Sequence, residues 1–481
     1  MLKYTAGKKE IRNVKEETSM PIVGAIMVPH PPIILPEVGR GEEKKIAATD
    51  KAYREAVALV GELAPETIVL VSPHAVGYAD YFHISPGESA EGDMGQFRAR
   101  DVKIRADYDS AFVEALAAAA ANAGFPAGNF GERNPKLDHG TMVPLYYVNH
   151  FYRNYLLVRI GLSGLPLTEH YRLGQMIQQT ADSLNRRVVI IGSGDLSHTL
   201  REDGPYGLSK EGPEYDERIM DVMGRAAFDE LFDFDEHFCD KAAECGHRSF
   251  YIMAGALDGL KLETRKLSHE GTFGVGYGIC TYRVTGTCST RFSLETWRER
   301  QKEKLAEKRR KEDAYVRLAR ASVDSWVMER KRVPLPPDLP DEMLKDRAGV
   351  FVSLHKDGRL RGCIGTIQAT RENIAEEIVE NGISAATKDP RFSPVRPDEL
   401  DALEISVDIL GEPEKITSKG KLDVKRYGVI VSKGFRRGLL LPNLDGIDSV
   451  DEQVAIALQK AGLSKREKVF EMERFEVVRH V

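Results

Sequence analysis

Continuous apolar runs rich in Val and Ile recur along the first two hundred residues of the chain. Runs of this length are typical of strands that are buried on both faces of a parallel sheet. They cover residues 24–28, 67–71 and 188–191, and residues 156–160 are predicted to form another strand. The segments between them carry apolar residues at helical spacing. Strand and helix therefore alternate from about residue 21 to residue 283, an order that predicts α/β layers.

Helices are predicted between these strands. Residues 47–63 and 169–184 have apolar positions at helical spacing. An alanine-rich helix follows Asp109 or Ser110, either of which can cap it, and Gly124 ends it. Residues 273–284 predict a late strand whose glycines suggest a bulge.

The pattern changes after residue 285. Residues 285–292 are small and polar, and residues 298–313 form a dense run of mixed charge. Mixed signs predict a solvated helix whose charges pair four residues apart, in preference to a nucleic-acid contact. An apolar helix face appears only from Tyr315 onwards, and four prolines in residues 333–340 predict an extended loop. Short strands and two helices, at about 374–386 and 450–461, then suggest a separate α+β domain.

We therefore predict two domains, which a chain of 481 residues requires because it is too long for one core. The first, residues 21–285, is a three-layer α/β domain with a mainly parallel or mixed central sheet. The second, residues 312–481, is α+β. Residues 1–20 are predicted to be an N-terminal tail, and residues 286–311 a linker and charged helix.

Composition limits the functional classes. The chain is 42% hydrophobic and 30% charged, as in soluble globular proteins, and its net charge of −6 argues against nucleic acid as a partner. No apolar stretch is long enough to cross a membrane, and the first twenty residues lack the apolar core of a signal peptide, so we expect a cytoplasmic protein. Five cysteines without a C-x-x-C pair suit a reducing compartment and exclude a zinc ribbon.

Three of the predicted strands run into a histidine. His30 and His74 follow the first two directly, and His198 follows the run at residues 188–191. Because ligands in open α/β sheets bind beyond the carboxyl ends of the strands, these imidazoles can converge on one point. A single histidine at such a place is more often a hydrogen-bonded loop residue. Three together predict a site, since imidazole is both a metal ligand and a general base near neutral pH.

Further donors lie in nearby loops. His139 stands in a loop before an apolar helix or strand, and Glu244 and Cys245 precede another apolar run. Two histidines and a carboxylate are the ligands of non-haem Fe(II) enzymes, whose open positions can take a catechol and O2. A hydrolytic zinc site uses the same residue types, which alone do not separate the two. The G-S-G run at residues 192–194 lacks the spacing of a phosphate loop, and we expect it to aim Asp195 and His198.

Four strings carry a resemblance: VPHPP at 28–32, VSPH at 71–74, DHG at 138–140 and GSGDLSH at 192–198. In this order, over about residues 21–285, they resemble class III extradiol ring-cleavage dioxygenases and their Memo relatives. The resemblance implies that His30 and His74 bind the metal with Glu244. It also implies that His198 is the acid/base for the second catechol hydroxyl and that His139 lines the oxygen and substrate pocket.

Two roles remain open within that resemblance. Memo-type members place a cysteine where Cys245 stands, so the third metal ligand is either Glu244 or Cys245. Asp195 either orients the imidazole of His198 or only caps the loop.

In the second domain, Cys363 lies between glycines beside Arg361. The arginine could lower the pKa of the thiol and make it nucleophilic, and the alternative is a small residue packed in a tight turn. The strings LRGCIG at 360–365, DPRFSP at 389–394 and RGLLLP at 437–442 resemble the AMMECR domain. That resemblance implies an antiparallel sheet. The fusion resembles the fused protein of the AmmeMemoRadiSam system, which implies a radical SAM protein as a partner.

Two functions are expected. The first is an Fe(II)-dependent extradiol oxygenase acting on a small catecholic or related aromatic substrate. The second is a metal-binding component of a protein or RNA modification system that cleaves no ring itself. The third ligand separates them, because glutamate indicates an oxygenase triad whereas a thiolate favours softer metals such as copper or zinc.

Overall fold

The computed structural model describes residues 20–481 apart from residues 132, 134, 135, 357, 445 and 466. The predicted tail, residues 1–20, lies outside the described residues except for its last residue. The chain divides into two compact units, with the boundary between Arg298 and Glu299.

The first unit contains both strands and helices. Its described strands are β1 (Ile22–Val28), β2 (Thr67–Ser72), β3 (Phe82–His83), β4 (Ser89–Met94), β5 (Ala99–Asp107), β6 (Ala127–Gly128), β7 (Leu156–Gly161), β8 (Val188–Ser193), β9 (Leu260–Glu270) and β10 (Tyr277–Thr287). Its α-helices are α1 (Pro36–Gly39), α2 (Ala47–Leu63), α3 (Ser110–Asn122), α4 (His139–Phe151), α5 (Leu167–Leu184), α6 (Glu211–Arg225), α7 (Glu236–Ala242) and α8 (His247–Ala256). Short 3-10 helices cover Pro32–Ile34, Glu42–Ile46, Gly95–Phe97 and Phe228–Asp233.

The central sheet of this unit has the order β7-β2-β8-β1-β10-β9. The first four strands are parallel, and β10 and β9 are antiparallel to their neighbours. Every residue of β1, β2 and β8 is buried, because alternate side chains enter separate apolar cores on the two faces. Helices cover both faces, which confirms the predicted mixed-sheet α/β fold.

Local signals account for these elements. Asp109 caps α3 by accepting a hydrogen bond from the backbone N–H of Phe112 at 3.1 Å, and Gly124 follows the helix with a φ of +61°. The helix α2 has the predicted bounds. The register of β10 shifts at Ile279, so the strand is bulged as its glycines suggest.

The second unit begins within α9 (Ser293–Lys311), the predicted charged helix. Its remaining α-helices are α10 (Ala314–Glu329), α11 (Asp341–Lys345), α12 (Ile374–Thr387) and α13 (Val450–Lys460), with 3-10 helices at Pro397–Ala402 and Lys419–Lys421. Its described strands are β11 (Val350–Lys356), β12 (Arg359–Gly365), β13 (Leu403–Leu410), β14 (Glu414–Ile416), β15 (Gly428–Lys433), β16 (Arg436–Leu440), β17 (Glu471–Phe475) and β18 (Val477–His480).

These strands form two sheets, in the orders β12-β11-β13-β18 and β14-β17-β15-β16. Every pairing is antiparallel, which confirms the expected α+β class. Helices α10 and α12 pack on the first sheet and share its apolar core. Within the described residues, no helix combines the length and the apolarity that a membrane span requires.

Candidate metal centre

The structure brings His30 and His74 together at one edge of the central sheet. Each lies two residues beyond its strand, β1 or β2, and β8 runs parallel between those strands. The two Nε2 atoms are 3.0 Å apart. His30 is buried and His74 is exposed, so the pair opens to solvent on the His74 side.

Cys245 supplies the third donor of this cluster. Its Sγ is 3.6 Å from His30 Nε2, and the three donor atoms of His30, His74 and Cys245 lie within 4.8 Å of one another. Glu244 belongs to neither donor group found among the described residues. Its carboxylate instead accepts the backbone N–H of His247 at 2.6 Å, at the start of α8. Of the two predicted third ligands, the geometry therefore favours Cys245.

A close approach of two backbones sets the position of Cys245. A Cβ on Gly194 would lie 2.0 Å from the Cα of Gly246, so the two loops can touch only because both positions are glycine. The backbone N–H groups of Cys245 and Gly246 donate to the carbonyl of Asp195 at 3.4 and 3.1 Å. The loop after β8 thereby carries the cysteine into the cluster.

The orientation of His30 is fixed by a hydroxyl. Ser193 Oγ donates to the carbonyl of Gly140 at 2.6 Å, and His30 Nδ1 is 2.9 Å from the same Oγ. Because a hydroxyl has one proton, Ser193 must accept from His30, which places the ring proton on Nδ1. The lone pair of Nε2 then faces the cluster. Burial and the nearby His74 lower the pKa of His30 to about 3, so the ring is neutral.

The distances within this cluster suit a metal ion. A tetrahedral ion with zinc-like bonds of about 2.05 Å to nitrogen and 2.3 Å to sulfur holds two nitrogens about 3.4 Å apart. The same geometry holds nitrogen and sulfur about 3.6 Å apart. The structure has 3.0 Å between the nitrogens and 3.6 Å between His30 Nε2 and Cys245 Sγ. The nitrogen–sulfur distance matches such an ion, and the two nitrogens would have to move apart by about 0.4 Å to match it.

His139 lies beside the exposed histidine. It is the first residue of α4, and its ring centroid is 4.0 Å from that of His74. Asp138 caps the helix through the backbone N–H of Thr141 at 2.9 Å and also accepts from Ser72 Oγ at 2.5 Å. Burial lowers the pKa of His139 to about 3, so this ring is also neutral.

Asp195 and His198 form a second donor group with Cys245. Asp195 Oδ1 accepts the backbone N–H of His30 at 2.8 Å, so this carboxylate ties the loop after β8 to the loop after β1. Burial raises its pKa to about 6. The Nδ1 atom of His198 is buried and has no hydrogen-bond partner among the described residues. The predicted acid/base role of His198 stays a prediction.

A cavity of about 790 Å³ adjoins His74 and His139. One wall is the hairpin of β4 and β5, which contributes two acidic and two basic side chains: Glu91, Asp93, Lys103 and Arg105. This hairpin is absent from the elements predicted from the sequence. Alternation of polar and apolar residues along β5, whose inward positions are buried, was the signal available.

In the second unit, the guanidinium of Arg361, which the sequence offered as one possible activator of Cys363, is bound by a carboxylate. It forms a two-point hydrogen bond with Glu399, at 3.0 and 2.9 Å. Ser353 Oγ donates to Cys363 Sγ at 3.3 Å, and the backbone N–H of Cys363 donates to Asp389 at 2.9 Å. Arg391 is the arginine that contacts Cys363, through the backbone carbonyl at 3.4 Å.

Comparisons with known proteins agree with this two-part organisation. Residues 24–280 match the family described as the catalytic LigB subunit of aromatic ring-opening dioxygenase, and residues 316–480 match the family AMMECR1. A Clostridium acetobutylicum protein is 39% identical over 478 residues, covering 96% of this chain and 99% of its own length. A Thermotoga maritima protein is 50% identical over 170 residues, covering 35% of this chain and 98% of its own.

Two solved structures are also similar. An uncharacterized protein from Pyrococcus horikoshii is 33% identical with a TM-score of 0.32, covering 34% of this chain and 88% of its own. An uncharacterized protein from Escherichia coli K12 is 16% identical with a TM-score of 0.35, covering 54% of this chain and 99% of its own. The two family matches occur in the predicted order, which confirms the resemblance drawn from the motifs.

Proposed function

Because the chain belongs to the family of the catalytic LigB subunit of aromatic ring-opening dioxygenase, followed by an AMMECR1 domain, we propose that its first unit is a metal-dependent enzyme. His30, His74 and Cys245 hold the metal, and the substrate is a small molecule in the adjoining cavity. The observation that carries this proposal is the convergence of the three donor atoms within 4.8 Å.

The residues of the chain prepare this site in two ways. Ser193 keeps the proton of His30 on Nδ1, so that Nε2 remains a donor to the metal. The backbone N–H of Asp195 donates to Cys245 Sγ at 3.3 Å, which favours the thiolate, whereas burial raises the pKa of this thiol, so a bound cation would be needed to hold it ionised. A bound ion would supply Lewis acidity and an open coordination position for a substrate oxygen. His74 and His139 lie where the cavity meets the donors.

The cysteine favours a softer metal than Fe(II). Thiolate ligands suit zinc and copper, whereas the Fe(II) triad uses a carboxylate. The carboxylate of Glu244 is occupied at the start of α8. We therefore favour zinc or copper and a reaction other than ring cleavage. The AMMECR1 domain supports a role as a component of an AmmeMemoRadiSam-type modification system, with a radical SAM protein as its partner.

Ring cleavage by Fe(II) is the second candidate. The cavity volume lies in the range that holds a small aromatic ligand, and the neutral His139 adjoins it. This candidate requires Glu244 to leave the N–H of His247 and turn towards the two histidines.

Metal analysis of anaerobically purified protein separates the two candidates. We expect zinc or copper in the wild type, the same metal in Glu244→Gln, and no oxygen uptake with catechols. The amide of Glu244→Gln still accepts the His247 N–H, so α8 keeps its contact. Iron in the wild type that is lost from Glu244→Gln, together with catechol-dependent oxygen uptake, would establish the oxygenase instead.

A further inference from the structure

Cys245 belongs to a second donor group as well as to the first. Its Sγ, a carboxylate oxygen of Asp195 and a ring nitrogen of His198 lie within 4.8 Å of one another. We propose that this group binds a second metal ion and that the thiolate of Cys245 bridges the two ions. The proposal rests on the proposed function, because both ions share Cys245.

Backbone contacts hold the second group together. The backbone N–H of His198 donates to the carbonyl of Ala242 at 3.0 Å, and the N–H of Gly246 donates to the carbonyl of Asp195 at 3.1 Å. The loop that carries Asp195 and His198 is therefore paired, main chain to main chain, with the segment that leads to Cys245. A site built on such contacts is organised before an ion arrives.

Within the described part of the chain, one ring nitrogen of His198 has an unsatisfied requirement for a hydrogen bond. Its Nδ1 is buried without a hydrogen bond among the described residues, although buried polar atoms are nearly always bonded. Its aromatic neighbour Tyr206 presents a ring in an edge contact, 5.5 Å between centroids. The neighbouring hydroxyl of Ser197 already donates to the carbonyl of Ala242 at 2.9 Å. An ion bound to Nδ1 would give this atom a partner.

Asp195 links the two positions. Its Oδ1 accepts the backbone N–H of His30, a ligand of the first ion, while the same carboxylate contributes an oxygen to the second group. Carboxylate, imidazole and thiolate together are ligands that zinc accepts. Paired metal ions in enzymes lie about 3.5–4 Å apart, a distance that one bridging sulfur can span.

The charge of the donor groups predicts that the two ions bind with unequal affinities. The carboxylate of Asp195 and the thiolate of Cys245 neutralise one divalent ion. A second ion leaves excess positive charge in a partly buried site, so it binds more weakly than the first. A hydroxide or an anionic substrate oxygen would balance that charge. The pair of ions would therefore select substrates with an anionic oxygen.

Zinc titration of the metal-free, reduced, full-length protein tests this proposal. Zinc is the probe because it matches both donor groups and does not oxidise the thiol. We expect two equivalents in two affinity classes, counted by equilibrium dialysis and by native mass spectrometry. Asp195→Asn and His198→Ala should each bind one equivalent. The amide of Asp195→Asn can still accept the His30 N–H, so the first position is preserved.

Two further variants complete the test. His74→Ala should lose the first position and keep one equivalent, while Cys363→Ser, in the other unit, should keep two. One equivalent in the wild type, or two in His198→Ala, overturns the second position and leaves the proposed function intact. No zinc in the wild type overturns both. The wild-type stoichiometry decides the question even if a variant fails to fold.

Discussion

The two units each place a cysteine near carboxylates, but burial dominates the pKa of these carboxylates in the first unit and hydrogen bonds from arginine dominate it in the second. In the first unit, burial raises the pKa of Asp195 to about 6 and that of Glu244 to about 7. In the second unit, the guanidinium of Arg391 lowers the pKa of Asp389 to about 2. Arg361 does the same for Glu399. Carboxylates near a cysteine therefore have raised pKa values in the first unit, whereas in the second unit their pKa values are lowered by arginine partners.

Because of this difference, the first unit offers a site for a cation, whereas the second unit contains a network of ion pairs. The two donor groups of the first unit contain imidazoles, a thiol and a carboxylate, and among the described residues no arginine is bonded to them, which suits a positive ion. Around Cys363 the arginines already occupy the carboxylates, with Arg391 bonded to Asp389 at 2.7 Å. A metal ion there would meet positive charge. A cysteine in this protein thus acquires its chemistry from the charged groups that surround it.

The largest effect is expected from exchanging the sulfur of Cys245 for oxygen, with the same exchange at Cys363 as the control. Cys245→Ser should weaken zinc binding at least about 100-fold, because it removes an anionic ligand. Cys363→Ser should leave zinc binding unchanged. Dissociation constants from competition with a chelator check both. Equal losses in the two variants would show that the comparison is wrong.

A smaller loss is expected when the support of a ligand is removed. Ser193→Ala takes away the acceptor that fixes the proton on His30 Nδ1. Loss of such a support typically costs about 10–100-fold in metal affinity. Ser353→Ala is the matched control, since its hydroxyl donates to Cys363. Zinc affinity that is unchanged in Ser193→Ala would mean that the ring orientation does not depend on this hydroxyl.

The placement of the histidines could be predicted from sequence because of how parallel strands pair. β1, β2 and β8 are apolar runs of similar length, and adjacent parallel strands bring their carboxyl ends to one edge. The choice between Glu244 and Cys245 as the third ligand could not be predicted, because the sequence does not show which of two adjacent loop residues turns its side chain towards the histidines. That direction depends on the contact of Gly194 with Gly246, which are 52 positions apart in the numbering.

The second unit shows the same limit. Arg361 and Cys363 are two residues apart in β12, and this proximity suggested that the arginine acts on the thiol. The guanidinium is instead bound by Glu399, from a 3-10 helix 38 residues away in sequence. Ion-pair partners that are this far apart in sequence cannot be recognised from the residues around either of them. Only the fold shows which group an arginine side chain binds.

The ion-pair network of the second unit should contribute to stability in a pH-dependent way. The pKa of Glu399 is about 2 in the folded state, below its ordinary 4.5. A lowered carboxyl pKa stabilises the fold above pH 4.5, and that contribution is lost as the pH falls from 4.5 towards 2. Glu399→Gln should therefore lower the unfolding free energy at pH 7 by about 1–2 kcal/mol. The difference from wild type should shrink below pH 4.

Urea unfolding at pH 7, 4 and 3 measures this difference. The exposed Glu372 gives the control variant Glu372→Gln, which removes a surface carboxylate and leaves the pair of Arg361 with Glu399 in place. A difference for Glu399→Gln that stays constant from pH 7 to pH 3 would mean that the pair with Arg361 does not hold the carboxylate ionised.

The smallest effect concerns the boundary between the two regions compared here. The apolar core of the second unit begins at Ala314, whereas residues 299–311 of α9 contact that unit through polar groups. Lys308 pairs with Glu404 at the surface, and Arg309 donates to the carbonyl of Leu400 at 2.8 Å. Exposed pairs of this kind contribute about 0–1 kcal/mol.

Residues 312–481, the predicted second domain, should therefore fold alone and be less stable than residues 299–481 by under about 1 kcal/mol. Urea unfolding of the two polypeptides gives the comparison. A loss above about 2 kcal/mol, or failure of the shorter one to fold, would move the boundary to Glu299. If neither folds, the two regions are not independent, and the different charges around Cys245 and Cys363 could not be tested one unit at a time.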